Sequence, residues 1–398
     1  MDRRTFLQWS AAAGLAPVGA IVDEGRVDAF LRTWLEQPAC DTDPLAGGTR
    51  VGTRPLTGAG GFDQPLDVIQ GAGLDGRLVT DLSTLTPDTL VTPNARFFVR
   101  TRFPEGGPPP SPWTIRVGGL VERNVELRPE ELARDARSFG PLHMECAGNA
   151  NPASFGLMSA ARWGGVPLLD VVARARPSTT GTRVMVEGFD THAQAPTRSS
   201  AGASWIFDWN DVRQTGAFLA FSMNGEPLPR DHGAPARLIV PGWYGAANIK
   251  WVTDVRIVDD DAPATTQMRE YAARTHQRGV PTLARDYEPA VVDAAAFPVR
   301  VEHWRVGERA LYRVVGIVWG GSTPVRHLSI RFNRQEPFRP VTLCPPPGST
   351  ESWSLWTHVW TPTSLGRHQI VLRVDDADTR TRRLDIFFYV RDVWIEAL

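Results

Sequence analysis

The stretch PLHMECAGNANPASFG, residues 141–156, places a single cysteine in a segment of small residues that favour a turn. Cys146 is followed directly by alanine, glycine and asparagine. Such short side chains let the backbone bend tightly and let a bulky group approach the sulfur. The role of this cysteine decides how the rest of the sequence is interpreted.

Three roles are open for Cys146. An isolated cysteine is most often a small, buried and unreactive side chain. A nucleophilic cysteine needs a histidine base, for which His143 and His232 are the candidates, although neither lies in a recognisable cysteine-protease sequence. A thiolate that binds a metal carried by an organic cofactor needs cationic and amide donors elsewhere in the chain to hold the cofactor's phosphate.

The composition is that of a large globular protein. The chain has 398 residues, 42% of them hydrophobic and 22% charged, which predicts a large core and two domains. A net charge of -1 gives no indication of nucleic acid or of a membrane surface as partner. No apolar run reaches the ~18 residues of a membrane-spanning helix, so we expect no span. Lys250 is the only lysine among 43 basic residues.

The first residues, MDRRTFLQWSAAAGLAPVGA (1–20), resemble an export signal. Arg3 and Arg4 precede a Phe-Leu pair and a weakly apolar stretch, which is typical of the twin-arginine route. We therefore predict a signal segment at 1–22 and a periplasmic location; an ordinary amphipathic first helix is the alternative. Because this route carries folded proteins, it also indicates a cofactor inserted in the cytoplasm.

The cysteines limit the kinds of metal site. Cys40, Cys146 and Cys344 make an odd count, and a disulfide between Cys40 and Cys344 stays open. A CxxC pair for zinc is absent, so a metal must use few protein ligands. CxxCH is absent too, which excludes a c-type haem and predicts that electrons leave to a separate acceptor such as a cytochrome c.

Four segments follow the signal. Residues 23–90 are predicted to be a loop-rich extension, because PLAGGTRVGTRPLTGAGGF (44–62) is too glycine-rich for regular structure. Residues 91–262 mix strand and helix patterns, and 263–287 read as an extended connector. Residues 288–398 alternate apolar and polar positions, as in RHLSIRFN and RRLDIFFYV, which predicts an immunoglobulin-like β-sandwich.

A second cluster of functional residues lies in NGEPLPRDHGAPARLIVPGWYGAANIKW (224–251). His232, Arg237 and Lys250 are cationic or donor groups, and glycines nearby permit close backbone approach. Arginine grips phosphate oxygens through two N–H groups and lysine adds a point charge. A phosphate-binding site is therefore predicted here, with a solvated loop as the alternative.

Five motifs taken in order resemble the sulfite oxidase family of molybdenum-pterin enzymes: MECAGN, ARWGGVPL, EGFD, MNGEPLPRDHGAPARLIVPG and GAANIKWV. The likeness runs from about residue 90 through the C-terminal β-domain. It implies an α+β fold, in which a molybdopterin-binding domain precedes an immunoglobulin-like domain that commonly forms a homodimer. Molybdenum and tungsten are not distinguished by these motifs.

The resemblance also assigns residues. It implies that Cys146 is the molybdenum ligand and that Arg100 and Tyr271 lie on the substrate side. The implied cofactor-binding residues are Phe98, Val99, Arg100, Thr101, Arg102, Asp190, His232, Arg237, Asn248, Ile249 and Lys250. Tyr271 matches by its spacing, in surroundings that fit only loosely.

One departure affects the substrate. The family has an arginine two residues after CAGN, where this chain has Asn151, and the C-terminal domain lacks a clear counterpart of its usual arginine. Fewer fixed cations weaken the binding of a small dianion such as sulfite. Arg102 and Arg162 are candidates to compensate for the missing arginine.

The predicted function is oxidation of sulfite or a related sulfur compound. In this hypothesis Arg100 holds the anionic oxygens, Tyr271 donates a hydrogen bond, and Cys146 stays bound to the metal throughout. Two alternatives remain: a periplasmic S-oxide or N-oxide reductase with the same cofactor, and a cofactor-free binding protein on an enzyme scaffold. A panel of candidate substrates distinguishes the reductase from a sulfite-oxidising enzyme. The molybdenum content of the purified protein distinguishes an enzyme from a cofactor-free binding protein.

Overall fold

The computed structural model describes residues 43–56, 65–71, 76–101, 112–149, 155–190, 203–343, 347–377, 379, 381 and 390–396. The predicted signal segment, Cys40, Arg102, Asn151 and Cys344 lie outside these residues. Within them, no helix combines the length and the apolar character needed to cross a membrane.

Strands dominate the described chain. In chain order they are β1 (Thr49–Pro55), β2 (Arg77–Leu78), β3 (Val99–Arg100), β4 (Ile115–Gly119), β5 (Val125–Leu127), β6 (Arg137–Glu145), β7 (Met158–Pro167), β8 (Arg183–Gly188), β9 (Ser204–Asp208), β10 (Phe218–Met223), β11 (Glu226–Pro227), β12 (Arg237–Ile239), β13 (Val252–Val258), β14 (Ala295–Val306), β15 (Arg309–Trp319), β16 (Leu328–Phe332), β17 (Arg339–Pro340), β18 (Thr342–Leu343), β19 (Ser354–Trp360), β20 (Gly366–Val374) and β21 (Arg391–Ile395). Helices of the described residues cover Pro129–Leu132, Leu168–Ala173, Trp209–Thr215 and Thr266–Tyr271.

Two sheets and short helices make up residues 112–262. One sheet has the order β11-β10-β7-β6 with β12 beside β10, and the other has the order β5-β4-β13-β8-β9. Strand β8 alternates inward and outward side chains, and its Val184 and Val186 are fully buried, as period-2 patterning requires. Cys146 follows the last residue of β6, so its position is set by the end of a paired strand.

Two further sheets form the C-terminal part, with orders β1-β14-β15-β19-β18 and β17-β16-β20-β21. Val314 and Trp356 of the first sheet share one buried core with Ile330 and Phe332 of the second. The strand predicted from RHLSIRFN is β16. The strand predicted from RRLDIFFYV falls almost wholly outside the described residues.

The prediction of an irregular segment at 44–62 is wrong for part of its length. Thr49–Pro55 forms β1, which pairs antiparallel with β14 at the edge of the sheet. The register shifts between Arg50 and Gly52, which is the bulge that a glycine in an edge strand favours. All seven residues of β1 are exposed, so the strand depends on backbone pairing and carries no alternating pattern that sequence reading detects.

The connector also differs from the extended segment that we expected. Thr266–Tyr271 is helical, and a 3-10 turn follows at Ala272–Thr275. Thr265 begins the helix, because its hydroxyl accepts a hydrogen bond from the Met268 backbone N–H at 3.2 Å. Met268 is buried in the core of the preceding sheets and anchors the helix there.

A buried carboxylate joins the Cys146 strand to the C-terminal sheets. Glu145 is fully buried, and its Oε2 accepts a hydrogen bond from Trp319 Nε1 at 2.8 Å. Its Oε1 accepts one from Asn149 Nδ2 at 3.0 Å. Ala147 and Phe155 share a core with Phe297 of β14. The two parts of the chain are therefore packed together at the turn that carries the cysteine.

The Trp319→Phe variant should lower the free energy of unfolding by about 1–3 kcal/mol, because it removes one donor from a buried carboxylate. The measurement is urea denaturation followed by circular dichroism. Trp394→Phe is the matched control, since Trp394 is 54% exposed and surface changes usually stay within about 0.5 kcal/mol. Equal stability of the two variants would contradict the proposed importance of this contact.

Candidate active site

A cleft opens beside Cys146, with an empty volume of about 940 Å³ that includes its solvent-filled mouth. Ten residues singled out from the sequence line it: Phe98, Arg100, Thr101, Cys146, Asp190, Arg237, Asn248, Ile249, Lys250 and Tyr271. Gly245, which the sequence indicated as a point of close backbone approach, also lines it, and five more residues come from positions that the sequence did not indicate: Ala203, Ala246, Trp251, Gln267 and Glu270.

The turn around Cys146 is fixed by the side chain of Asn149. Asn149 is fully buried, and its Oδ1 accepts hydrogen bonds from the backbone N–H groups of Gly156 (2.9 Å) and Leu157 (3.0 Å). The Cys146 backbone N–H donates to the Leu157 carbonyl at 2.9 Å. Sγ accepts the Gly148 N–H at 3.4 Å. The sulfur is thereby held at the cleft with little freedom.

Cys146 lacks the surroundings of a nucleophile. Burial raises the pKa of its thiol, and this outweighs the opposing effects of the Gly148 N–H and the Arg100 charge. Reactive cysteines instead have lowered pKa values beside a base. Among the described residues that line the cleft there is no histidine. His143 packs against Trp319 and Trp353, with ring centres 6.2 and 5.4 Å apart.

Lys250 lies at the wall of the cleft, partly buried. Its Nζ donates to the Thr101 hydroxyl at 2.8 Å and to the Asp231 carbonyl at 2.6 Å. Desolvation lowers the pKa of the ammonium to about 7, and repulsion from Arg237 adds to the shift. An anion at the cleft would oppose both effects by favouring the charged form.

Arg237 is a buried cation whose donors are poorly matched. Nη1 donates to the His232 carbonyl at 3.1 Å, and Nη2 contacts the weak acceptor Met144 Sδ at 2.8 Å. Its Nε has no hydrogen-bond partner among the described residues. Desolvation lowers the pKa of the guanidinium. Such a group suits an anionic ligand, because guanidinium binds phosphate oxygens strongly.

Asp190 and His232 are two further buried polar groups in this region. Within the described chain, Asp190 Oδ1 and His232 Nδ1 have no hydrogen-bond partner. Burial raises the pKa of Asp190 to about 7 and lowers that of His232 to about 4. His232 Nε2 lies 3.1 Å from the Asn94 carbonyl. His232 is not among the residues that line the cleft.

Of three other sequence-selected residues, Asn248 lines the cleft, whereas Val99 and Arg162 do not. The Asn248 side chain is occupied within its own turn: Oδ1 accepts from Val240 N–H at 2.8 Å, and Nδ2 donates to the carbonyls of Trp243 and Tyr244. Val99 is buried without lining the cleft. Arg162 is exposed on β7 and is also absent from the lining.

The residues present fit a molybdopterin. Its phosphate oxygens match the poorly paired donors of Arg237 and the Lys250 ammonium, and its pterin N–H groups match the unpaired oxygen of Asp190. A thiolate suits a metal already bound by dithiolene sulfurs. Gly245 lets its turn pack closely against the cysteine segment, because a Cβ there would lie 3.2 Å from the Glu145 carbonyl oxygen and 3.6 Å from the Cys146 Cα.

Arg100 and Tyr271 also line the cleft and carry donors for a substrate. Arg100 Nη1 donates to the Thr101 carbonyl at 2.9 Å. Burial raises the pKa of Tyr271, and Cys146 and Glu270 add to the shift. The phenol is therefore a protonated donor near neutral pH. Arg274, which sequence reading missed, lies with its Cζ 5.7 Å from the Tyr271 ring centre. Its i,i+3 spacing from Tyr271 was the available signal.

Comparison with known proteins agrees with this geometry. The family model "Oxidoreductase molybdopterin binding domain" matches residues 104–266. Sulfite oxidase of Gallus gallus is 30% identical over 323 residues, 74% of this chain and 68% of that protein. The mitochondrial sulfite oxidase of Rattus norvegicus is 29% identical over 60% of this chain, which spans about half (49%) of that relative.

More distant matches have other activities or show only a shared fold. The NADPH nitrate reductase of Fusarium oxysporum is 26% identical over 57% of this chain and 28% of its own length. The crystal structure of the sulfane dehydrogenase SoxCD from Paracoccus pantotrophus superposes with a TM-score of 0.60 at 21% identity. It covers 85% of this chain and 88% of that one.

One assignment follows from three observations. They are the cysteine at the cleft, the buried donors suited to a phosphate, and the length and identity of the match to the Gallus gallus sulfite oxidase. This chain belongs to the sulfite oxidase family and is a molybdopterin-dependent oxidoreductase.

Proposed function

We propose that this protein oxidises sulfite, or a closely related sulfur oxyanion, and passes the electrons to a separate acceptor such as a cytochrome c. The observation that carries the proposal is the shared position of the Cys146 thiol, the Arg100 guanidinium and the Tyr271 phenol at one cleft. In the net reaction sulfite gains one oxygen atom from water and releases two electrons and two protons. The molybdenum centre, when bound, supplies the oxygen-atom transfer and accepts the electrons.

At the cofactor end the chain binds and orients. Arg237 and Lys250 would hold the phosphate, and Asp190 would accept from the pterin ring. Cys146 would bind the metal through Sγ. Coordination would remove the proton that burial otherwise keeps on the thiol. Asn149 would position that ligand through the turn it closes.

At the substrate end the chain attracts an anion and donates hydrogen bonds. Arg100 supplies a fixed positive charge, and Tyr271 supplies a phenol O–H that stays protonated because its pKa is raised. Both groups favour a substrate with negative oxygens over a neutral S-oxide or N-oxide. A reductase for neutral oxides therefore ranks second as a candidate function. Assays with S-oxides and N-oxides as substrates test it.

The wider organisation is part of the proposal. We propose that residues 1–22 export the folded protein to the periplasm by the twin-arginine route. We further propose that 288–398 form an immunoglobulin-like sandwich that assembles a homodimer. The shared core of the two C-terminal sheets supports the sandwich. Fractionation of expressing cells and light scattering of the purified protein test these two proposals.

Protein of verified molybdenum content should reduce ferricyanide when sulfite is added. Cys146→Ala should lower this turnover by more than about 100-fold, since even residues behind the metal ligands often contribute 10–100-fold. Cys344→Ala is the control and should retain activity. A fully loaded wild-type enzyme that ignores sulfite would overturn the proposal, and reduced-dye assays with S-oxides and N-oxides would then follow.

Lys250→Met should weaken cofactor retention by about 10- to 100-fold, because it removes one charge-assisted hydrogen bond to phosphate. The measurement is molybdenum per folded chain during dilution and dialysis, which does not depend on activity. Arg256→Met is the control, since Arg256 is an exposed cation of β13. Equal molybdenum contents in the two variants would show that Lys250 does not hold the cofactor.

A further inference from the structure

We propose that Arg274 forms, together with Arg100, an oxyanion subsite at the rim of the cleft. In this way the connector supplies the second cation that the sequence lacks at position 151. The inference rests on the proposed oxidation of a sulfur oxyanion and names the residue that selects a charged substrate. None of the motifs that identify the family includes this position.

Gly148 places Arg274 beside the metal-ligand position. A Cβ built on Gly148 would lie 3.4 Å from Arg274 Nη1 and 3.6 Å from Cys146 Sγ. The guanidinium and the sulfur therefore border the same gap, and the missing side chain keeps that gap open. A small anion that approached the sulfur from this side would meet the Arg274 donors directly.

The backbone beneath Arg274 is fixed. Thr275 is buried, and its hydroxyl donates to the Tyr271 carbonyl at 3.0 Å. His276 ends the turn in the left-handed region, at φ 62°, and its Nε2 lies 2.7 Å from Asp293 Oδ2. Arg274 thus extends from an anchored turn, which lowers the entropy lost when it holds a ligand.

Arg274 is available for a ligand. It is exposed, and in the described part of the chain it forms no ion pair. Its guanidinium lies over the Tyr271 ring, 5.7 Å from the centre. Arg100 and Tyr271 both line the cleft, so the Arg274 guanidinium lies over a ring that borders the substrate position.

The local charge balance favours an oxyanion. Glu270 and Arg100 line the cleft, and Arg274 Nη1 lies at the adjoining gap beside Cys146 Sγ, so two guanidinium groups outnumber one carboxylate in this region. Neither Arg162, one of the two residues suggested by the sequence, nor Arg274 lines the cleft itself. Arg274 differs from Arg162 because its Nη1 lies against the gap at Gly148, next to Cys146 Sγ. Arg102 lies outside the described residues. Guanidinium groups bind sulfur oxyanions through paired N–H donors, a geometry that a neutral oxide with one oxygen does not match.

The test measures sulfate binding to molybdenum-loaded protein by titration calorimetry, with Arg274→Gln, Arg274→Lys and the control Arg278→Gln. Arg278 lies on the same connector, and its side chain is 93% exposed. Arg274→Gln should weaken sulfate binding by about 10- to 100-fold, and Arg278→Gln should change it less than about twofold. Arg274→Lys should recover part of the affinity, because it keeps the charge but not the paired donors.

Steady-state kinetics provide the second readout. In Arg274→Gln the KM for sulfite should rise by the same factor as the sulfate Kd while kcat changes little, the pattern of a residue that binds substrate and transition state alike. Equal sulfate affinity in Arg274→Gln and Arg278→Gln, or no sulfate binding by the wild type, would overturn the subsite. A wild type that binds sulfate but does not oxidise sulfite would overturn only the proposed function.

Discussion

The hydrogen bonds of a single buried carboxylate hold the site together. Glu145 ends the strand that leads to Cys146, and it binds Asn149 on one side and Trp319 of the C-terminal sheets on the other. Asn149 in turn closes the cysteine turn through two backbone N–H groups. The position of the sulfur therefore depends on packing between two parts of the chain that are more than 170 residues apart. A polar group buried at such a junction is stable only while every partner stays in place.

A second constraint is the presence of two cations, Arg237 and Lys250, that form no ion pair within the described residues. Arg237 and Lys250 lie close together at one wall of the cleft, and desolvation lowers the pKa of each. Burial of such groups costs free energy unless an anion compensates. The folded chain therefore holds a site that is electrostatically incomplete by itself. A bound phosphate would stabilise the fold through the same contacts that give the cofactor its affinity.

The sequence was informative where function demands particular residue types. Cys146, Arg237 and Lys250 were recognised because a thiol, a guanidinium and the sole lysine stand out in a chain of common residues. Alternating apolar residues predicted β16 correctly. The limits of prediction from the sequence also have physical causes. Strand β1 was missed because an exposed edge strand has no buried face and therefore no alternation. Arg274 was missed because its importance depends on a tertiary approach to Gly148, which lies 126 positions earlier.

The pairing of strand β1 also constrains the order in which parts of the chain can fold during synthesis. Its partner β14 begins about 240 residues later, and all the residues that line the cofactor cleft lie between the two. On the ribosome, the cofactor-binding sheets emerge completely before the C-terminal sheet acquires its first edge pair. Contacts of such long sequence separation form slowly. The pairing of β1 with β14 thus closes a loop around the catalytic part of the molecule, and this closure becomes possible only after β14 has been synthesised.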